Sequence, residues 1–267
     1  MGAGDVGLAE VDWCEEKWAT VEALYLRALD SRSENSILND HAAAEAFERV
    51  DYDLARHGGP KGGITPFMLA VRAKQVDSWT ADFLARHPDA TVLYLGCGLD
   101  SRAFRLGLPA DVRWIDLDLP DIIELRGKLY PRHDQHQMIG ASAFDPAWLG
   151  KIPADRPVLI IAEGLLMYFP EDDVRALFQR LTSRFETGEL IFDGVAPWVT
   201  RLSAAMHWPV RDPRDIEQMD SRISLLSEVS LVAHHAIIPV RRYRALFRLM
   251  HAIPVTRNMA RQFRFGF

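Results

Sequence analysis

Apolar residues along this chain recur first at helical spacing and later in short continuous runs. The change of period marks its architecture. Residues 13 to 56 read as helical, with Trp18, Val21, Leu24, Tyr25 and Leu29 at helical intervals. Asp40 is placed to cap a second helix that carries Ala44, Phe47 and Val50. The breaker cluster Gly58-Gly59-Pro60-Lys61-Gly62-Gly63 predicts a loop. A third helix follows, with Phe67, Leu69, Val71, Val76, Trp79 and Phe83 as its apolar positions, and His87-Pro88-Asp89 stops it.

From Thr91 the pattern becomes that of buried strands. Thr91-Val92-Leu93-Tyr94-Leu95 is a continuous apolar run, the mark of a strand covered on both faces. Further strands are expected over residues 113–118, 137–140, 157–162 and 189–193. Helices over 122–129 and 171–185 lie between them. Asp100 and Ser101 are placed to cap a helix after the first strand. Strands alternating with helices of this length predict an α/β doubly wound parallel sheet. Beyond Pro197 the pattern predicts helices over 198–209 and 212–226, a strand over 229–238 and a helix over 243–251. A terminal strand is expected within 257–267.

Composition narrows the class. A chain of 267 residues with 48% hydrophobic and 25% charged residues has ample material for a dense core. Its formal charge of −6 lacks the electrostatic footprint of a nucleic-acid binder and disfavours docking on anionic membranes. The cysteines, Cys14 and Cys97, have no metal-ligand spacing, and two of them cannot staple a chain this long. Met1 to Trp18 carries Asp5, Glu10, Asp12, Glu15 and Glu16, the wrong charge for a secretory leader. The expectation is a cytoplasmic protein. His133 and His136 have an H-x-x-H spacing without a carboxylate to complete a metal set, so no metal is expected.

Candidate chemistry begins at Leu95-Gly96-Cys97-Gly98-Leu99-Asp100-Ser101. Glycines allow a sharp turn and close approach of a ligand at the carboxyl end of a strand. The pattern is Gly-x-Gly-x-x-Ser, which departs from the dinucleotide fingerprint at its sixth position, and it also fits a plain strand-to-helix turn. Asp116 and Asp118 end the next strand, where an acid can accept hydrogen bonds from the ribose hydroxyls of an adenosine cofactor or cap the following helix. These features together indicate an adenosine cofactor. A nicotinamide-dependent oxidoreductase and a methyltransferase share that logic.

Four ordered blocks separate the two. They are Leu69-Ala70-Val71-Arg72-Ala73-Lys74 with Asp77; Leu95 to Arg102; Trp114-Ile115-Asp116-Leu117-Asp118-Leu119-Pro120; and Ala162-Glu163-Gly164-Leu165-Leu166-Met167-Tyr168. With them the chain, from about Leu26 onwards, resembles the leucine carboxyl methyltransferase family of S-adenosylmethionine-dependent O-methyltransferases. More narrowly it resembles the bacterial branch that acts on polyketides. The resemblance implies a class I methyltransferase, a Rossmann-like domain of about seven strands with the last antiparallel. Residues 1–88 would form a helical lid, 89–196 the cofactor core, and 197–267 an acceptor cap and the last strands. It implies S-adenosyl-L-methionine as cofactor, S-adenosyl-L-homocysteine as product, and a small-molecule acceptor.

The resemblance also assigns residues. It places Arg72 on the cofactor's methionine carboxylate, a group that a guanidinium fork matches. Gly96, Cys97 and Gly98 would line the cofactor, and Asp118 would hold the ribose. Ser142 and Ala143 would meet the adenine, where the family has Asp-Leu, so this chain departs there and Asp145 is the alternative contact. Glu163 would face the amino-acid end. Tyr168 is the candidate for positioning the acceptor, with Arg32 and His207 as further substrate contacts. Trp198, Met206, Trp208, Phe247 and Met250 would make the acceptor pocket apolar. A carboxylate acceptor needs no base, whereas a phenol of pKa near 10 has little anion at neutral pH. The remaining alternatives are the oxidoreductase and a non-catalytic partner protein that keeps the fold. The sequence sets no oligomeric state.

Overall fold

The computed structural model describes residues 15–50, 63–132 and 134–267. Cys14, His133 and all but the last glycine of the expected 58–63 loop lie outside the described residues. The N-terminal third contributes α1 (Glu15–Ser31), α2 (His41–Phe47) and α3 (Thr65–Arg86). Asp40 caps α2, accepting from the Ala43 N–H at 3.0 Å, as its position predicts. Pro66 opens α3, where its missing N–H costs nothing, and His87 closes it.

The sheet is formed by β1 (Thr91–Leu95), β2 (Arg113–Asp118), β3 (His136–Gly140), β4 (Val158–Ala162), β5 (Gly188–Val195), β6 (Ser224–Ser230) and β7 (Ala260–Gly266). Their order is β3-β2-β1-β4-β5-β7-β6. β1 to β5 are parallel, and β7 runs antiparallel between β5 and β6. Helices α4 (Arg102–Leu106), α5 (Pro120–Leu129) and α6 (Glu171–Arg184) follow β1, β2 and β4. The expected α/β doubly wound sheet is therefore the fold, with its final strand antiparallel.

Side chains alternate along each strand, and the alternation divides the core. Leu93, Leu95, Ile115, Leu117, Ile160 and Phe192 face α6 and pack with Phe178, Leu181, Trp208, Phe263 and Phe265. Val92, Tyr94, Trp114, Leu159, Ile161 and Ile191 face α3 and pack with Val76, Trp79 and Phe83. This second cluster makes α3 a layer of the core sandwich, although its residues fall in the stretch expected to be a lid.

The sequence reading was least accurate after Pro197. The expected helix over 198–209 shrinks to α7 (Pro197–Thr200), because the His207 and Trp208 N–H groups both donate to the Met167 carbonyl, at 2.8 and 3.1 Å. The expected helix over 212–226 ends as α8 (Pro213–Glu217), capped by Asp212 as its position predicts. Residues from Ser224 instead pair with β7 as an edge strand. The strand expected over 229–238 lies too late: Leu231–Ile237 is a 3-10 segment. Pairing with a distant strand overrides local periodicity here. Then α9 (Arg241–Ala252) and α10 (Pro254–Arg257) lead into β7. No helix among the described residues is long and apolar enough to cross a membrane.

Candidate functional site

β1 pairs with β2 on one side and β4 on the other, and the chain leaves β1 in one direction and returns to β4 in the other. Such a switch point opens a crevice at the carboxyl ends of the strands. A cavity of about 490 Å³ lies there. Gly96, Asp118, Ser142, Ala143 and Tyr168 line it together with Gly164, Leu165 and Phe169, and Thr20 of α1 closes one side. Leu119, Ile122 and Ala141 make the rest of the lining largely apolar.

Gly96 turns the chain out of β1 with φ of +62°, and its N–H donates to the Leu117 carbonyl at 2.8 Å. A Cβ there would stand 2.9 Å from a methyl of Leu165, so only glycine keeps this wall low. Gly98 also has positive φ, +52°, and its N–H donates to Asp118 Oδ2 at 2.7 Å. The Leu119 N–H donates to Asp118 Oδ1, also at 2.7 Å. Both carboxylate oxygens are thus oriented, and each retains a further lone pair. Burial pushes the Asp118 pKa up, and the two backbone donors oppose that only in part.

Asp116, two residues earlier, has a different fate. It is fully buried and accepts from Trp114 Nε1 at 2.8 Å and Arg126 Nε at 2.7 Å, with His136 Nε2 at 2.5 Å. Arg126 Nη1 in turn donates to the Gly98 carbonyl at 3.2 Å. Asp116 therefore braces the glycine turn from behind, while Asp118 faces the cavity. His136 of the H-x-x-H pair is spent on this bracing.

Arg72 reaches the cleft from α3. It lies on the inward stripe that continues as Val76, Trp79 and Phe83, one turn beyond the edge of the sheet. Glu163 and Asp193 follow Ile161 and Ile191 at alternate positions, so both project to the α3 side. Arg72 Nε donates to Glu163 Oε1 at 2.9 Å, and Nη1 lies 3.5 Å from Asp193 Oδ2. Burial works against the charge of Arg72, but the two carboxylates hold its pKa above the ordinary value. Its Nη atoms lie 3.3 and 3.4 Å from where a Cβ on Gly164 would stand, so the guanidinium borders a residue that lines the cavity. Asp193 accepts from the Gly164 N–H at 2.5 Å. Asp193 escaped the sequence reading, although its place at the end of a buried strand marks it.

Other expected residues are placed differently. Glu163 has a side chain only 1% exposed, with Oε1 on Arg72 and Oε2 on Arg102 Nη2 at 2.6 Å. Both of its oxygens are thus held by cations of the protein, and it adjoins Gly164 of the cavity lining. Cys97 is buried, its thiol pKa is pushed up by burial, and its side chain does not line the cavity. Ser142 Oγ accepts from the Phe144 N–H at 3.3 Å within its own turn, and Asp145 caps the next segment through the Ala147 N–H at 2.9 Å. Asp100 and Ser101 do not cap α4: Asp100 accepts from Arg27 and Tyr94, and Ser101 donates to Asp40.

Tyr168 is 43% exposed at the rim of the cavity. Arg32 is half exposed and pairs with Glu48 at 2.9 Å, away from the cavity lining. His207 is exposed and likewise absent from that lining. The expected apolar acceptor wall is dispersed. Trp208 packs against Phe178 and Phe192 in one core cluster, Phe247 of α9 is buried in another, and Trp198 is at the surface.

Comparison with known proteins agrees with this geometry. Residues 19–182 match the leucine carboxyl methyltransferase family. The chain is 42% identical over 209 residues to the tetracenomycin polyketide synthesis O-methyltransferase TcmP of Streptomyces glaucescens, across 74% of this chain and 76% of the relative. It is 32% identical over 223 residues to the S-adenosyl-L-methionine-dependent methyltransferase dpfgK of Gibberella zeae, across 73% and 75% of the two chains. Among solved structures, the mycolic acid cyclopropane synthase CmaA1, complexed with SAH and CTAB, superposes with a TM-score of 0.50 at 15% identity. That match covers 94% of this chain and 98% of the other, and it is a likeness of fold.

Proposed function

We propose that this chain, which belongs to the leucine carboxyl methyltransferase family and is an S-adenosylmethionine-dependent methyltransferase, methylates a carboxylate or phenolic oxygen of a small, aromatic or polyketide-like acceptor, working in the cytoplasm. The observation that carries the reading is the crevice beyond β1, β2 and β4. There an oriented carboxylate and an apolar slot line one cavity, and a partly exposed guanidinium borders Gly164 at its wall.

The residues present fit the cofactor. Asp118, with both oxygens aimed by backbone donors, is suited to accept from two ribose hydroxyls. Ile122, Leu119, Ala143 and Phe169 offer an apolar slot for a flat base. Arg72, with Nε already spent on Glu163, presents its Nη edge to a carboxylate. The bound cofactor supplies a methyl group already activated by a positive sulfur. The protein then has to align the acceptor oxygen and keep water out. Tyr168 at the rim is the side chain placed to orient the acceptor. The likeness to a polyketide O-methyltransferase supports the acceptor class.

The test is a panel of aromatic carboxylic acids and phenols incubated with enzyme and S-adenosylmethionine and read by mass spectrometry. One methyl is expected on at least one of them, and mild alkaline hydrolysis then separates esters from ethers. Cofactor binding without methyl transfer across the panel would overturn the acceptor class.

A further inference from the structure

Beneath the cleft lies a run of buried ion pairs whose own residues do not line the cavity. Its centre is Arg102, the first residue of α4 and wholly buried. Arg102 Nε donates to Asp77 Oδ1 at 2.7 Å, and Nη2 donates to Glu163 Oε2 at 2.6 Å. Its guanidinium carbon lies 5.0 Å from the centre of the Tyr94 ring. Asp77 is itself gripped by Arg105, through Nε at 2.7 Å and Nη2 at 2.9 Å. Arg102 is thus fixed on one side by a carboxylate that is itself fixed, and on the other it holds Glu163.

The consequence reaches Arg72. A carboxylate facing a lone guanidinium prefers the two-pronged geometry, with both oxygens on the fork. Glu163 does not adopt it, because Oε2 is committed to Arg102, and only Oε1 meets Arg72, through Nε. The Nη edge of Arg72, with Nη1 in a long 3.5 Å contact to Asp193 and Nη2 uncommitted to Glu163, is left beside Gly164 at the cleft. We propose that Arg102 is a positioning residue for cofactor binding: by occupying one oxygen of Glu163 it keeps that carboxylate from closing on Arg72, and so keeps the Nη edge of Arg72 available to the cofactor's amino-acid carboxylate. This rests on the assignment of Arg72 under the proposed function.

The test uses two ligands and a double-mutant cycle. S-adenosylhomocysteine carries the amino-acid tail, and 5′-methylthioadenosine lacks it. Arg102→Lys keeps the charge but loses the fork. By calorimetry it is expected to weaken S-adenosylhomocysteine about tenfold or more while leaving 5′-methylthioadenosine unchanged. In an Arg72→Ala background the same substitution is expected to add nothing. A merely structural defect would weaken both ligands and persist in that background, and either result overturns the proposal, as does wild-type affinity. If Arg102→Lys loses its circular-dichroism signature, Glu163→Gln probes the middle of the same relay under the same criteria. If Arg72→Ala alone binds S-adenosylhomocysteine like the wild type, the assignment of Arg72 falls and the relay with it. Failure in the Arg102 arm alone leaves that assignment standing.

Discussion

Both faces of the sheet carry an apolar cluster, but at the carboxyl ends of the strands they differ. Towards α6 and β7, Phe178, Phe192, Phe263, Phe265 and Trp208 interlock, with Phe192 in ring contact with each of the other four. Towards α3 and α4, the sheet ends in arginines and carboxylates: Arg72, Arg102 and Arg105 with Asp77, Asp100, Glu163 and Asp193. Aromatic packing is non-directional and draws its strength from area. Buried ion pairs add little net stability, because desolvation offsets their attraction, but they fix orientation. Fold stability therefore draws on the apolar clusters of both faces, and ligand geometry on the ion pairs that end the second.

Substitutions can break that division. The largest effect is expected at Phe192→Ala, which should lower unfolding free energy by about 3–5 kcal/mol in denaturant titration. Affinity for S-adenosylhomocysteine in the folded fraction should hardly change. A large loss of affinity in that fraction would show that the aromatic face shapes the site as well. Next comes Asp118→Ala, expected to weaken S-adenosylhomocysteine on the order of tenfold or more with little change in melting temperature.

The same residue gives a pH signature whose two signs differ. Its pKa is raised by burial, so its contribution to folding is present at low pH and is lost as pH rises through the raised value. Ligand binding favours the carboxylate, so affinity should fall as pH drops through that value, and Asp118→Asn should flatten the profile. A profile unchanged by Asp118→Asn would point to another acid, Asp193 being the next candidate because burial raises its pKa too.

A smaller effect is expected at Gly96→Ala. The left-handed backbone costs about 1–2 kcal/mol for a residue with a side chain, and the new Cβ presses on Leu165. Melting temperature should fall by a few degrees, and affinity should fall with it. The smallest is Arg32→Ala. Its exposed pair with Glu48 should be worth less than about 1 kcal/mol, and turnover should be unaltered. Reduced turnover would restore Arg32 to the acceptor site.

What was legible in the sequence follows the same division. Continuous apolar runs identified β1 and β4, because a strand buried on both faces has few polar positions to confuse its period, and shorter apolar stretches marked the other three parallel strands. The edge strand β6 was divided between a helix expected to end at 226 and a strand expected to start at 229, since its burial alternates with exposure and its pairing partner lies more than thirty residues away. In the site, Gly96, Asp118 and Tyr168 were found at the cavity from local motifs. The pairing of Glu163 with Arg102 was not legible, because Arg102 is 61 residues distant in the chain.

The amino-acid sequence alone determined the alternation of strands and helices, the glycine turn after β1 and the acid that ends β2, because each depends on neighbours within a few residues. Only the tertiary structure decided what Asp116 is bonded to, which cations share Glu163, and where Trp208 and Phe247 are buried. Those outcomes depend on which side chains from distant segments compete for the same space and the same hydrogen bonds, and no local pattern encodes that competition.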